Sequence, residues 1–260
     1  MTGAERIAAA FERREGRAAL MPYLMGGFPD AGTALEIGRA YARAGADLVE
    51  LGVPFSDPLA DGPVIQEAGS RALEGGATPE SVLETARELA SDVPVVLMTY
   101  SNLVLSRGVE GFVAGLAESG VSGLIVPDLP FEESEELRTA CREAGIAFVP
   151  LVAPTSTDER LEEIGSRAEG FLYTVSVSGT TGERQDDAGY AEVIGRARSH
   201  TGVPVALGFG ISTPEQADAA ARAGADGVIV GSRLVREAAE SADPADACGE
   251  LVGRFAQALR

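Results

Sequence analysis

The sequence predicts an α/β protein, a (β/α)8 TIM barrel with an extra N-terminal helix and additional helices. Eight short apolar segments alternate with helical segments along the chain, which is typical of a parallel sheet covered on both faces. A chain of 260 residues has a common size for such a barrel, and no Ser/Gly tract or proline run divides it. We therefore expect a single (β/α)8 barrel domain over residues 1–260.

The first half of the chain supplies three of the predicted strands. Residues 1–16 have the apolar spacing of a short amphipathic helix. Apolar strands without polar alternation are expected at 18–25, 47–51 and 93–100. Helices are expected at 31–44, which Gly45 ends, at 63–74, which Pro63 begins, and from Thr78 and Pro79 onward.

The second half supplies the other five strands, at 123–128, 146–152, 171–177, 203–208 and 226–231. Helices are expected around 111–119 and at 132–144, 157–167, 190–199, 214–223, 233–240 and 244–259. Residues 42–52, ARAGADLVELG, resemble residues 221–231, ARAGADGVIVG, and this internal repeat supports the number of units. A doubly wound open sheet is the alternative. It would require a dinucleotide-binding G-x-G-x-x-G turn after the first strand, and GGFPD lacks that spacing.

The acidic composition argues against two classes of partner. The net charge of −19 repels nucleic acid and anionic membranes. No apolar run approaches the ~20 residues that cross a bilayer, and the N-terminus lacks the apolar core of a signal peptide. We therefore expect a cytoplasmic protein. All 21 basic residues are arginine, which indicates either a GC-rich genome or a salt-adapted surface.

The residue types that are missing narrow the chemistry. A chain without lysine has no Schiff-base nucleophile and no lysine-bound pyridoxal phosphate. The single histidine, His200, cannot form a multi-histidine metal site, so we expect no metal. Cys141 and Cys248 lie far apart in helical segments and are expected to be reduced, buried thiols. Carboxylates, hydroxyls, arginines and backbone N–H groups remain for catalysis.

Two carboxylates are the candidates for acid–base catalysis. Glu50 lies near the end of the second strand, where burial disfavours its charged form, and Asp61 lies on the loop that follows. The active site of a (β/α)8 barrel lies at these strand ends, so the two side chains can converge on one pocket. Asp128, Tyr100 and Tyr173 are predicted at the same end. The alternative for Glu50 is a structural acid that pairs with an arginine, and an Asp in a Pro/Gly-rich loop is ordinary turn chemistry.

Glycines on the last three loops indicate a phosphate site. Gly179 and Gly182 follow the sixth strand, GFGIS (208–212) follows the seventh, and Gly231 and Ser232 follow the eighth. Glycine lets backbone approach a ligand, and the helix that begins after Gly231 offers unpaired N–H groups. Many barrels bind phosphate at the last two of these loops. The residues alone therefore predict an enzyme acting on a small phosphorylated substrate, with no cofactor in this chain.

Residues 50–66, ELGVPFSDPLADGPVIQ, resemble the signature of the tryptophan synthase alpha chain family. MPYLMGGFPD, LMTYSNLV, LIVPDLPFEES, SGTTGER, GFGIS and VIVGS resemble other family segments in the same order. The resemblance implies a (β/α)8 lyase that cleaves indole-3-glycerol phosphate to indole and glyceraldehyde 3-phosphate. It implies Glu50 and Asp61 as the catalytic pair. It also implies a beta-chain partner that carries pyridoxal phosphate, in an α2β2 heterotetramer.

The same resemblance implies the residues that bind substrate. The phosphate would be bound by Gly182, Phe209, Gly210, Gly231 and Ser232, and Tyr173 would line the pocket. The apolar walls around the indole would be formed by Tyr23, Tyr100, Leu97 and Leu124, although plain barrel core is the alternative for the two leucines. The loops 52–62 and 177–188 resemble mobile lids, with Thr181 packing against Asp61 on closure and Asp57 a contact to the beta chain. Val177 and Tyr23 differ from the arginine and phenylalanine that are common in the family.

Two other functions remain open from the sequence. One is another sugar-phosphate isomerase or lyase barrel of histidine or tryptophan biosynthesis, which would use carboxylates and the same phosphate loops but would lack the LADGP segment. The other is a barrel that mainly activates its partner and has little turnover of its own. The presence of both carboxylates argues against the second.

Overall fold

The computed structural model describes residues 1–13, 16–176 and 187–260, with the side chains of 187 and 188 left out. Within these ranges one sheet contains nine strands. They are β1 (Ala19–Met25), β2 (Val49–Gly52), β3 (Val95–Met98), β4 (Gly123–Ile125), β5 (Ala147–Phe148), β6 (Leu151–Val152), β7 (Leu172–Val175), β8 (Val205–Gly208) and β9 (Gly227–Val230). All strand pairs are parallel, and the order is β5-β4-β3-β2-β1-β9-β8-β7-β6.

The two ends of this sheet meet in one chain segment, so the sheet closes. Val149 N donates a hydrogen bond to Leu124 O at 2.9 Å on one side, and Tyr173 N donates to Pro150 O at 3.0 Å on the other. The single strand predicted at 146–152 is therefore divided into β5 and β6, because Pro150 has no N–H group for a regular ladder. The TIM-barrel prediction is confirmed, with the fifth strand in two pieces.

Twelve α-helices surround the sheet in the described residues. They are α1 (Gly3–Glu12), α2 (Ala31–Ala44), α3 (Pro63–Glu74), α4 (Pro79–Leu89), α5 (Ser101–Arg107), α6 (Val109–Glu118), α7 (Glu135–Glu143), α8 (Asp158–Gly165), α9 (Asp187–Arg198), α10 (Pro214–Arg222), α11 (Ser232–Glu240) and α12 (Pro244–Ala258). Local capping explains the boundaries that were predicted: Thr78 and Thr213 form capping boxes with proline as the first helical residue. In the part of the chain described, none of these helices has the length and apolar character to span a membrane.

Two helices differ from the sequence prediction. Helix α5 was not predicted, because its cap comes from far along the chain: Asp128 accepts hydrogen bonds from Ser101 N at 2.8 Å and Ser101 Oγ at 2.7 Å. The helix predicted at 132–144 is divided into a 3-10 turn, Phe131–Glu133, and α7. The division lies at Ser134, whose buried hydroxyl donates to Phe131 O at 2.6 Å and so competes with helical bonding.

The internal repeat corresponds to one structural unit used twice. Gly45 (φ 107°) and Gly224 (φ 102°) both adopt the left-handed backbone that follows a helix end. Asp47 and Asp226, two residues further on, each accept a hydrogen bond from the backbone N–H of a neighbouring strand and pair with an arginine. Asp47 accepts from Leu20 N and pairs with Arg17. Asp226 accepts from Val205 N and pairs with Arg198. The repeat thus fixes where β2 and β9 begin.

The strand register separates an inner row of side chains from an outer row. A Cβ built at Gly38 of α2 would lie 3.2 Å from Leu24 Cδ2, so Leu24 faces the helices. Successive residues of a strand alternate in direction, so Tyr23 and its register partner Glu50 face the barrel interior. At the N-terminal end of the barrel, Ile7 of α1 reaches Gly123, where a Cβ would lie 3.0 Å from Ile7 Cδ1. Helix α1 therefore covers that end, and the interior is accessible from the C-terminal strand ends.

Candidate active site

Glu50 lies inside the barrel near the end of β2 and is 2% exposed. Tyr23 on β1 and Val96 on β3 are its register neighbours. Burial, and secondly the charge of Asp61, raise the pKa of Glu50 to about 8. Its Oε2 atom is buried and has no hydrogen-bond partner among the described residues. A carboxyl group in this environment holds its proton at neutral pH, as a general acid requires.

Asp61 lies on the loop between β2 and α3 and faces the same interior. Burial raises the pKa of Asp61 to about 6, against the opposing effect of a hydrogen bond from the Tyr100 side chain. Tyr100 also anchors the loop, since Ala60 N donates to its hydroxyl at 3.1 Å and Phe55 stacks on its ring with centroids 5.2 Å apart. Gln66 Nε2 donates to Asp61 O at 2.8 Å. The loop is therefore held over the strand ends, with Asp61 turned toward Glu50.

Two tyrosines extend over glycines of the neighbouring strand. A Cβ built at Gly52 would lie 2.0 Å from the Tyr23 hydroxyl, and one built at Gly208 would lie 2.4 Å from the Tyr173 hydroxyl. Both tyrosines are buried on the inner face, and burial raises the pKa of each well above its usual value. Their hydroxyls stay protonated in the working pH range. The absence of a side chain at Gly52 and Gly208 leaves room for the hydroxyl ends of the two rings.

The phosphate candidates that the structure describes follow β8 and β9, which are adjacent strands. Phe209 has φ 63° and Gly210 φ 80°, so the chain turns sharply and exposes backbone N–H groups. Ser176 Oγ donates to Phe209 O at 2.6 Å, and the Phe209 ring packs edge-on against Tyr173 at 6.1 Å between centroids. Gly231 precedes α11 without a side-chain cap, and Ser232 is its exposed first residue. Two backbone turns therefore follow adjacent strands, the first beside Tyr173 and the second beside Tyr23, and both can offer N–H groups to an anion.

The structure corrects two of the predicted wall residues. Leu97 and Leu124 are register partners in the row of Leu24 and Leu51, which faces the helices. They are fully buried there and belong to the layer between sheet and helices.

The inner row at this level contains Met98, the register partner of Gly52, and Ile125, the register partner of Met98. Leu151, a register partner of Tyr173, also faces inward. Sequence reasoning missed these three residues and Phe55. The alternation of directions along a strand could have shown that Leu97 and Met98 point to opposite faces, but apolar residues on both faces hide which one is inside.

Several other predicted residues lie away from the centre of the site or outside the described residues. Thr181 and Gly182 lie outside the described residues. Asp128 caps α5, and Asp57 is exposed on the loop that carries Asp61. The two cysteines are buried and free, and burial raises the pKa of each thiol to about 12, which fits the expected inert role.

A large hollow of about 980 Å³ lies at the opposite end of the barrel. Four arginines line it: Arg13, Arg17, Arg222 and Arg260. Arg222 is the last residue of α10, whereas Arg13 and Arg260 follow the ends of α1 and α12. Arginines at helix C-termini complement the negative end of the helix dipole, which explains this cluster without a ligand. Among the described residues, no group of three or more His, Cys, Asp or Glu side chains could hold a metal ion.

Comparison with known proteins identifies the family. A family model described as tryptophan synthase alpha chain matches residues 9–259. The tryptophan synthase alpha chain of Methanosarcina mazei is 50% identical over 232 residues, covering 89% of this chain and 84% of the relative. That of a Synechocystis species is 48% identical and covers 90% of each chain.

Solved structures agree. Tryptophan synthase from M. tuberculosis in an aminoacrylate-bound form has a chain that superposes with a TM-score of 0.89 at 36% identity, covering 98% of this chain and 99% of that one. The tryptophan synthase alpha subunit of Legionella pneumophila gives 0.91 at 34% identity, covering 100% and 98%. With a family match over nearly its whole length and relatives at this level of identity, the chain belongs to the tryptophan synthase alpha chain family.

Proposed function

We propose that this enzyme cleaves indole-3-glycerol phosphate to indole and glyceraldehyde 3-phosphate, with Glu50 and Asp61 as its acid–base pair. The observation that carries the proposal is the pair itself. Glu50 and Asp61 face one interior, and burial separates the pKa values of these two carboxyl groups to about 8 and about 6. At neutral pH one group therefore holds a proton while the other is ionised, which is the arrangement for simultaneous acid and charge-stabilising roles.

The chemistry requires both groups. The bond between indole C3 and the glycerol carbon breaks readily only after C3 is protonated, because the ring then accepts the bonding electrons. Protonated Glu50 donates that proton, and ionised Asp61 stabilises the positive charge on N1–H. The Glu50 carboxylate then takes the proton of the adjacent glycerol hydroxyl, which becomes the aldehyde as the C–C bond breaks. Glu50 ends the cycle protonated, so one residue performs both transfers.

The remaining site residues bind the two ends of the substrate. The turns at Phe209–Gly210 and Gly231–Ser232 offer backbone N–H groups to the phosphate, and this neutral cradle suits an anion in a protein of net charge −19. Gly182 and Thr181 stay assigned to phosphate binding and loop closure by resemblance alone. Tyr23, Tyr100, Tyr173, Met98 and Ile125 surround the indole ring. The phosphate at one end and Asp61 at the other fix C3 against Glu50.

We also propose a partner subunit of complementary chemistry. A tryptophan synthase beta chain would carry pyridoxal phosphate and receive the indole in an α2β2 heterotetramer, since this chain has no lysine to bind that cofactor. Its docking surface would include the loop of Asp61, where Leu59 is 79% exposed and Asp57 is exposed beside it. The alpha chain itself would act without a cofactor, as one domain over residues 1–260, in the cytoplasm.

The test is indole release from indole-3-glycerol phosphate by wild type, Glu50→Gln and Asp61→Asn, with and without a beta chain. Each variant is expected to lose at least about a hundredfold in kcat, the usual contribution of a general acid or base. Glu84→Gln, an exposed glutamate of α4, is the matched control and should keep the wild-type rate. Absence of wild-type turnover even with the partner would refute the lyase function. The assay would then move to other sugar phosphates of histidine and tryptophan biosynthesis.

A further inference from the structure

The Tyr23 hydroxyl lies inside the barrel, where the described residues offer it a weak hydrogen-bond acceptor. Tyr23 is 5% exposed, and in the residues described here its hydroxyl has Met25 Sδ, 3.9 Å away, as acceptor. A thioether sulfur is a weak acceptor. A buried hydroxyl without a good partner costs stability, so its retention calls for a second partner in another state of the site.

A suitable partner lies on the next strand. Glu50 is the register partner of Tyr23, and its buried Oε2 atom lacks a hydrogen-bond partner among the described residues. The Tyr23 hydroxyl lies against Gly52, two residues beyond Glu50 on the same inner face. The tyrosine ring therefore runs alongside the glutamate side chain, since two residues of a strand span about 7 Å. A hydroxyl with a weak sulfur acceptor and a carboxyl oxygen without a described partner therefore lie on neighbouring strands of the same inner face.

Other polar side chains share the barrel interior with Glu50. Asp61, from the loop after β2, is an acceptor and receives a hydrogen bond from Tyr100 at the end of β3. Tyr173 of β7 also faces Glu50 across the interior, since burial and then the charge of Glu50 raise the pKa of Tyr173, and its hydroxyl lies against Gly208. Of these tyrosines, Tyr23 is the one that lies on β1, the strand that pairs with β2 at Glu50.

We propose, resting on the function proposed above, that Tyr23 is a positioning residue whose hydroxyl donates a hydrogen bond to Glu50 whenever that carboxylate is ionised. In the resting site Glu50 is protonated and the hydroxyl turns to Met25. After Glu50 gives its proton to indole C3, the new carboxylate turns toward the Tyr23 hydroxyl, which leaves Met25 and stabilises it until the glycerol proton arrives. The hydrogen bond also holds the carboxylate in place between the two transfers. No proton leaves Tyr23 in this sequence.

The consequence is a measurable shift in the titration of Glu50. Tyr23→Phe removes the donor and leaves the ring in place, so the carboxylate loses its stabilisation and the pKa of Glu50 rises further. A hydrogen bond to a charged group corresponds to a shift of about one to two pH units. The variant should lower kcat about tenfold and change KM less than about twofold, because the bond forms only between the proton transfers.

The deciding experiment is a ¹³C NMR titration of ligand-free protein labelled at glutamate Cδ. The Glu50 signal is the one that disappears in Glu50→Gln. The matched control is Tyr41→Phe, which removes a buried tyrosine hydroxyl that donates to Tyr23 O at 3.3 Å from outside the barrel. The midpoint of the Glu50 titration should rise by at least about one unit in Tyr23→Phe and stay at the wild-type value in Tyr41→Phe.

The two possible failures are distinguishable. A Glu50 midpoint in Tyr23→Phe equal to that of wild type would overturn the role of Tyr23, and so would an equal rise in Tyr41→Phe, which would indicate a general packing effect. The titration needs no substrate. A failed lyase assay would therefore refute the proposed function while the contact between Tyr23 and Glu50 was still decided by the NMR result.

Discussion

Replacing Glu50 with glutamine should make the protein more stable at alkaline pH while removing its activity. Burial raises the pKa of Glu50 from 4.5 to about 8. A carboxyl group whose folded-state pKa is raised binds its proton more tightly in the folded state. Stability is therefore highest below the unfolded-state pKa of 4.5 and falls as pH rises through the folded-state value. The glutamine variant has no proton to lose and escapes this penalty.

The size of the effect follows from the shift. Each unit corresponds to about 1.4 kcal/mol, so wild type loses about 3 to 4 kcal/mol more than Glu50→Gln between about pH 5 and about pH 8. The measurement is the free energy of unfolding in urea for both proteins at these two pH values. Any constant difference between a glutamine and a protonated glutamate cancels when the two pH values are compared.

A control and a refuting result complete this test. Glu84→Gln on the exposed face of α4 should follow wild type at both pH values. If the difference in unfolding free energy between Glu50→Gln and wild type were the same at both pH values, Glu50 would not be buried in the protonated state. The assignment of Glu50 as the general acid would then lose its physical basis.

Two further predictions concern the same site, and a third concerns the helix cap at Asp128. The pH profile of kcat/KM should be bell-shaped, because Asp61 must be ionised and Glu50 must be protonated. Its apparent pKa values should be about 6, from Asp61, and about 8, from Glu50. Gly208→Ala should raise KM about tenfold and lower the unfolding free energy by about 1–3 kcal/mol, since its Cβ would lie 2.4 Å from the Tyr173 hydroxyl and push that ring into the pocket. Asp128→Ala should lower the unfolding free energy by about 1 kcal/mol through loss of the α5 cap, and leave kcat within about threefold of wild type.

A different result would contradict each of these three predictions. An acid limb that persists in Asp61→Asn would assign that limb to another group. Gly111→Ala, at an exposed helical glycine with nothing within 4 Å of the new Cβ, is the control for the glycine substitution. Equal effects of the two glycine changes on KM would contradict the packing argument. A loss of turnover in Asp128→Ala as large as in Asp61→Asn would move Asp128 from the helix cap into the reaction.

Local signals determined most of the element boundaries. Helix α2 spans 31–44 as predicted, because Asp30 caps one end and Gly45 at φ 107° ends the other. Thr78 and Thr213, each followed by proline, fixed the starts of α4 and α10 in the same way. The apolar strands and their alternation with helices were sufficient for the barrel. The segment 50–66 was sufficient for the family, because its Glu, Asp, Pro and Gly residues occur at characteristic spacing.

Other features depended on contacts between distant residues. Helix α5 is capped by Asp128, 27 positions away, so no local pattern marks its start. The fifth strand is interrupted at Pro150, yet the chain continues to pair on both sides, which only the closed barrel shows. The positions of the Tyr23 and Tyr173 hydroxyls over Gly52 and Gly208 likewise depend on contacts between neighbouring strands that no local pattern marks.

The sequence by itself determined the barrel, the family and the two carboxylates, whereas the tertiary structure decided which side chains line the pocket and what charge they carry. Leu97 and Met98 are both apolar and both on β3, and only the register with Glu50 shows that Met98 faces the interior. The reason is that strands of a closed barrel are buried on both faces, so hydrophobicity cannot reveal direction. The pKa of Glu50 depends on burial and on the charge of Asp61, and that of Asp61 on burial and on a hydrogen bond from Tyr100, all of which are properties of the folded chain.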